Sequence, residues 1–85
     1  MMRCNVAILP AAARQLAKLD RPVRKRVGDA IAELGNEPRP AGSKKLVGVD
    51  AWRIRVGDWR VIYQIQDDRL IVLVVRVGHR RDVYQ

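Results

Sequence analysis

The sequence predicts an α+β fold: an N-terminal strand, a helical hairpin and a three-stranded antiparallel meander, with the helices packed on one sheet face. Three observations carry that expectation. Apolar residues recur at helical spacing up to Leu34, and apolar–polar alternation begins at Trp52. Between these two regimes lies a stretch punctuated by proline and glycine.

Arg3 to Leu9 reads as the opening strand, closed by Pro10. Pro10 suits the first turn of a helix that runs through three alanines to Leu19. Asp20 can cap the next helix, with Pro22 in its first turn. On that helix Val23, Val27, Ala30, Ile31 and Leu34 share one face, and Gly35 supplies the stop. The very short link makes the pair a helical hairpin. Asn36 to Lys45 is the one clear loop. It is too short to divide the 85-residue chain, which is expected to form one domain over residues 1–85. Three strands follow, Trp52 to Val56, Trp59 to Gln66 and Leu70 to Val77, joined by two-residue turns at Gly57-Asp58 and Asp67-Asp68.

Two-residue turns fix the register. Across the first turn Arg55 falls opposite Arg60 and Arg53 opposite Ile62. Across the second, Ile65 falls opposite Leu70, Tyr63 opposite Val72 and Arg60 opposite Val75. One face then carries Trp52, Ile54, Val56, Trp59, Val61, Tyr63, Ile65, Leu70, Val72 and Val74 and is expected to receive the helices. On this parity the aromatic residues are core rather than base-stacking platforms. The other face carries Arg53, Arg55 and Arg60 at one end, beside Val75 and Val77. The last strand is apolar on both faces, which suits a central position with the Arg3 to Leu9 strand on its far side.

Like charges directly opposite on paired strands repel, so Arg55 against Arg60 opposes folding. The last strand runs into "RVGHRRDVY", which is expected to bring His79, Arg80, Arg81 and Tyr84 to the same end. Guanidinium groups hold phosphate bidentately, and an apolar floor supports a base. A bound phosphate would turn the repulsion into attraction. A single exposed arginine is read as a solubilising charge; a matched set at one end of one face is read as an anion site.

Bulk composition points the same way. Lysine plus arginine number 17 against 9 acidic residues, a net charge of +8, which favours nucleic acid or an acidic protein as partner. Membrane binding is the weakest option, because no helix joins a bulky apolar face to a lysine-rich one. The longest apolar run, Leu70 to Val75, is too short to span a bilayer. Arg14 and Lys18 interrupt any signal-peptide core, so a cytoplasmic location is expected. One cysteine, Cys4, and one histidine exclude an internal disulfide and a structural zinc site. Neither a metal nor another cofactor is expected, and no small-molecule substrate.

The order strand, helical hairpin, "KKLVG", "WRIRVGDWRVIYQI", acidic turn, "VVRVGHRRDVY" resembles the RelE/ParE toxins of bacterial type II toxin–antitoxin modules. The resemblance covers nearly the whole chain and lies closer to RelE than to ParE. It implies a RelE-like fold, a cognate RelB-like antitoxin that covers or distorts the basic site, and the ribosome and mRNA as targets. RelE-type toxins enter the ribosomal A site and cleave mRNA, whereas ParE-type toxins poison DNA gyrase. Carried over by motif, the RelE-type active site falls on Arg53, Arg55, Arg60, Arg80 and Tyr84. Arginine stands at Arg53 and Arg55 where the best-known pattern has lysine. Val47 replaces a basic residue, with Lys44 and Lys45 close by, and His79 replaces a lysine.

The reaction so implied is attack of an mRNA 2′-hydroxyl on the adjacent phosphate, releasing the next 5′-hydroxyl. It asks for in-line positioning, charge stabilisation and proton transfer at both oxygens, and needs no metal. Arg60 and Arg80 suit clamps on the scissile phosphate. Arg53, Arg55 and Arg81, with Lys44 and Lys45, add positive field and hold neighbouring phosphates. Arginine is never deprotonated, so the proton-transfer candidates are Tyr84 and His79. The resemblance gives Tyr84 the base role and leaves His79 as an acid or phosphate ligand. Two other classes stay open: a ParE-type gyrase inhibitor working through protein contacts, and a non-catalytic basic RNA-binding module.

Overall fold

Proline starts both helices of the computed structural model, which describes residues 3–79. After β1 (Asn5–Ile8), Pro10 opens α1 (Pro10–Ala17), and Pro22 lies in the first turn of α2 (Arg21–Glu33). Asp20 stands at the N-cap of α2, but its side chain makes no capping bond; its backbone carbonyl accepts the Arg24 N–H at 2.7 Å. Gly35 follows the C-cap without a left-handed φ. Glycine is required there by the approach of the N-terminal segment. Its carbonyl accepts the Cys4 N–H at 2.8 Å, and a Cβ on Gly35 would stand 2.9 Å from the Cys4 carbonyl oxygen.

The remaining strands are β2 (Lys44–Lys45), β3 (Trp52–Val56), β4 (Trp59–Gln66) and β5 (Ile71–His79). They form a five-stranded mixed sheet in the order β1-β5-β4-β3-β2. β1 lies parallel against β5, as the apolar character of β5 implies. Lys44 and Lys45, expected in the loop, instead form a two-residue edge strand, with Lys44 opposite Arg53 and Lys45 opposite Trp52.

The first hairpin takes the expected register. Gly57 adopts φ +61, the positive angle that a tight primed turn demands, and Arg55 lies opposite Arg60. The second hairpin corrects the expectation. Its loop is Asp67 to Leu70, with Leu70 at φ +54, so Gln66 pairs with Ile71, Ile65 with Val72 and Tyr63 with Val74. The slip of two positions leaves side-chain faces unchanged. Between Ile62 and Tyr63 the register then shifts once more, where Val75 is the extra residue of a bulge. Beyond it the parity of β5 reverses: Ile62 faces Arg76, Val61 faces Val77, Arg60 faces Gly78 and Trp59 faces His79. Val77 therefore sits in the core, only 1% exposed, instead of beside the arginines. The physical reason is desolvation. Unbroken alternation would drive the Arg76 charge into the apolar layer, and one inserted residue exchanges it for Val77.

The core lies between the helices and one sheet face. Val27, Ile31 and Leu34 of α2 and Ala12 of α1 pack with Ile54, Val61, Tyr63, Val72, Val74 and Val77. Tyr63 is completely buried and its hydroxyl donates to the Pro38 carbonyl at 2.8 Å, while burial pushes the phenol pKa up. The next residue, Arg39, lies 5.2 Å over the Trp52 ring and donates two hydrogen bonds to the Asp67 carboxylate, at 3.2 and 3.0 Å. Residues 36–43 are thereby strapped across the sheet end remote from the Gly57 turn. Among the described residues no helix is long and apolar enough to cross a membrane.

Two outcomes follow from these contacts. Gly35→Ala is expected to lower unfolding free energy by about 1–3 kcal/mol in urea titrations, because the atom it meets is backbone and cannot rotate away. The Arg39 guanidinium holds the Asp67 carboxyl below its usual pKa, so the pair stabilises the fold above the ordinary carboxylate range and loses that contribution as pH falls below that range, through the lowered pKa. The stability difference between wild type and Asp67→Asn should therefore be full at neutral pH, begin to shrink only near about pH 4 and vanish in stronger acid.

Candidate functional site

Residues opposite one another in a ladder project from the same side of the sheet. On the side away from the helices this places two rows. The first runs Lys44, Arg53, Ile62, Arg76 across β2, β3, β4 and β5, and the second runs Arg55, Arg60, Gly78 across β3, β4 and β5. With strands ~4.8 Å apart, Arg53 and Arg76 stand ~10 Å from each other across Ile62. Arg55 is exposed, Arg60 is half-buried and Arg53 is buried, at 5% exposure. Nε of Arg53, and Nε and Nη1 of Arg60, are shielded from solvent. The guanidinium stems therefore start from fixed positions within the sheet.

The floor of this face is apolar. Ala51 and Ile62 are buried, with Leu46 and Val75 packed against them, in a cluster separate from the main core. Beside it, a groove of about 440 Å³ lies between the C-terminal half of α2 and the edge of β3 left open by the short β2. Leu34 and Ile54 line its base; Glu33 and Glu37 contribute from the helix side, and Lys44, Arg53 and Arg55 from the sheet side. Fixed guanidiniums over an apolar floor can hold phosphates and stabilise developing negative charge, but they cannot move protons.

The structure brings some of the expected site residues together and separates others. Arg53, Arg55, Arg60 and Lys44 share the helix-free face. Lys45 is opposite Trp52, on the other parity, and pairs with Asp50 at 3.8 Å. His79 also departs from its expected place. The bulge turns it to the helix side, where its ring meets Trp59 edge-on with centroids 5.4 Å apart. There it lines a cavity of about 240 Å³ with Gln15, Lys18 and Leu19. Arg80, Arg81 and Tyr84 lie outside the described residues.

One cation of this face was not anticipated from sequence. Arg76 enters the arginine row because of the bulge. The buried valines fall at Val72, Val74 and Val77, a spacing of two and then three that matches the inserted residue, but a strand apolar on both faces does not single them out in the sequence.

Residues 6–84 match the family described as ParE toxin of type II toxin-antitoxin system, parDE. Toxin RelG of Mycobacterium tuberculosis is 32% identical over 88 residues, spanning 99% of this chain and 99% of RelG. The mRNA interferase toxin RelE of Escherichia coli is 28% identical over 71 residues, spanning 81% of this chain and 75% of RelE. Among solved structures, the toxin–antitoxin complex RelBE2 from Mycobacterium tuberculosis matches with TM-score 0.81 at 30% identity, over 92% of this chain and 99% of that one. The archaeal RelE–RelB complex from Pyrococcus horikoshii matches with TM-score 0.84 at 26% identity, over 96% of this chain and 100% of that one. The two-helix, five-strand layout and the family match agree: the chain belongs to the RelE/ParE toxins of type II toxin–antitoxin systems, and its fold is that of the RelE structures.

Proposed function

We propose that the chain is a ribosome-dependent endoribonuclease of the cytoplasm, cutting mRNA in the A site by 2′-hydroxyl attack on the adjacent phosphate. The observation that carries this reading is the Arg55–Arg60 cross-strand pair beside Arg53, over an apolar floor, on the face no helix covers. Like charges opposite one another on paired strands repel, and a bound anion is attracted to both. The likeness to a toxin named as an mRNA interferase supports RNA as that anion.

In this mechanism Arg60 holds the scissile phosphate, with Arg80 of the tail as the second clamp. Arg53 and Arg55 stabilise the phosphorane charge, and Lys44 and Arg81 hold neighbouring phosphates. The 2′-hydroxyl loses its proton to the Tyr84 phenolate as its oxygen bonds to phosphorus; the P–O5′ bond breaks, leaving a 2′,3′-cyclic phosphate, and the departing 5′-oxygen takes a proton from water. His79 faces Trp59 on the opposite side of the sheet, which favours Tyr84 over His79 for the proton work. A RelB-like antitoxin is the proposed partner: relatives of this fold are solved as RelE–RelB complexes, and a +8 chain suits an acidic wrapping segment.

The family description, ParE toxin, favours a second reading, in which the chain inhibits DNA gyrase through protein contacts. Expressing the chain alone while mapping mRNA 5′ ends and plasmid supercoiling separates the two. Codon-phased cuts are expected; gyrase-linked DNA breaks without such cuts would replace the nuclease reading with the second one.

Two substitutions test the roles. In ribosome cleavage assays Tyr84→Phe should lose at least 100-fold in rate, on the order of a general-base contribution, with ribosome binding retained; full activity would remove Tyr84 from the mechanism. Arg55→Glu turns the repulsive pair into an attractive one. It should raise unfolding free energy by about 0.2–1 kcal/mol, less at high salt, while depressing cleavage. A variant both less stable and fully active would sink the anion-site argument.

A further inference from the structure

Arg76 is the cation that neither the active-site motif nor the mechanism above uses. Its position depends on a bulge, which interrupts the ladder and leaves one residue of β5 outside the pairing. The insertion sets Arg76 opposite Ile62, in the same row as Arg53 and Lys44. Arg76 is exposed.

Its surroundings extend beyond that row. β1 pairs with β5 only as far as Val74; beyond it the β5 edge is met by α1, where Gln15 Oε1 accepts the Val77 N–H at 2.8 Å. At that edge Arg76 lines the smaller cavity together with Lys18 of the helix side. Lys44, Arg53 and Arg76 therefore form a line of cations across the sheet, and Lys18 continues it around the β5 edge. Ile62, buried between Arg53 and Arg76 with Leu46 and Val75 packed against it, gives the row an apolar floor.

We infer that Arg76 is a further RNA-backbone contact, binding a phosphate beyond the scissile one and leading the strand off the arginine face past the β5 edge toward Lys18. The inference rests on the nuclease reading for the identity of the anion. A protein partner is the less suited occupant, since the exposed Lys44 and Arg76 stand on one row on either side of the buried Arg53 and Ile62, a spacing of like charges that a single-stranded polyanion can follow.

The test uses a short oligoribonucleotide carrying 2′-O-methyl groups throughout, so that no nucleophile is present and binding alone is read. Its affinity is measured against potassium chloride concentration for wild type, Arg76→Gln, Arg76→Lys and Arg69→Ala. Arg69 is an exposed arginine in the Asp67 to Leu70 loop, at the other end of the sheet, and controls for net charge. Arg76→Gln should bind about three- to tenfold more weakly, with the salt slope reduced by about 0.7. Arg76→Lys should keep the slope, and Arg69→Ala should change neither. The glutamine variant retains much of the side-chain stem, and circular dichroism melts of it and the lysine variant report the fold. Equal behaviour of Arg76→Gln and Arg69→Ala overturns the assignment, as does equal loss in the lysine and glutamine variants. So does weakened binding to a co-purified antitoxin with RNA binding unchanged. The two readings fail separately. Codon-phased cleavage by wild type with unchanged Arg76→Gln binding overturns the Arg76 contact alone. Charge-dependent binding through Arg76 without any cleavage overturns the nuclease and leaves the contact standing.

Discussion

The apolar layer between α2 and the sheet admits one kind of side chain, and β5 must satisfy it along nine residues whose sequence does not alternate cleanly. Val72 and Val74 enter the layer in phase, and Arg76 would be next. An unpaired guanidinium in that layer would cost several kcal/mol, by the order of magnitude for burying a charge, far more than the local ladder disruption of a bulge. Val75 is therefore inserted, Val77 takes the buried place, and every residue after it changes sides. The composition of the arginine face, the position of His79 and the glycine beside Arg60 all follow from that one exchange.

The same constraint explains which parts of the fold could be read from sequence. The Arg55–Arg60 pairing was legible because Gly57-Asp58 leaves few ways to close a hairpin, and Gly57 takes the left-handed angle that closure requires. The second turn carries no glycine. Its closure instead uses Leu70 at φ +54, a conformation leucine seldom adopts and sequence gives no reason to expect. Lys44 and Lys45 were unreadable as a strand because two charged residues have no periodicity; the partner strand β3 makes them one. The candidate site was legible wherever it rests on the first hairpin, at Arg53, Arg55 and Arg60. Beyond the second turn it was not, because a two-position slip and a one-residue bulge accumulate there.

Stability and binding are in tension on this molecule. The helix side is a closed apolar layer reinforced by the Tyr63–Pro38 hydrogen bond and by the Arg39 strap over Trp52 and Asp67. Among the described residues, the helix-free side has a small apolar cluster around Ile62 and carries the opposed arginines. The strap lies at the far end of the sheet from the Gly57 turn, so the firm contacts and the repulsive ones are spatially divided. A polyanion or an acidic antitoxin segment on the arginine face would relieve the second set without altering the first.

Reversal of parity after Val75 also exchanges one chemistry for another on the binding face. Without the insertion His79 would project beside the arginines and Arg76 would not; with it, Arg76 and Gly78 do, and His79 turns to Trp59. An imidazole carries a charge that varies across physiological pH, whereas a guanidinium does not. The described part of the face therefore carries a charge that is constant across the physiological range, and Gly78 stands opposite Arg60. Proton transfer requires a group of a different kind, and the face has none built from its arginines. In the proposed mechanism that task passes to the tail, so the sheet holds the phosphate and the terminal segment carries out the proton chemistry. The arginines at Arg53 and Arg55 are consistent with that separation, because lysines there could have shared in proton transfer and arginines cannot.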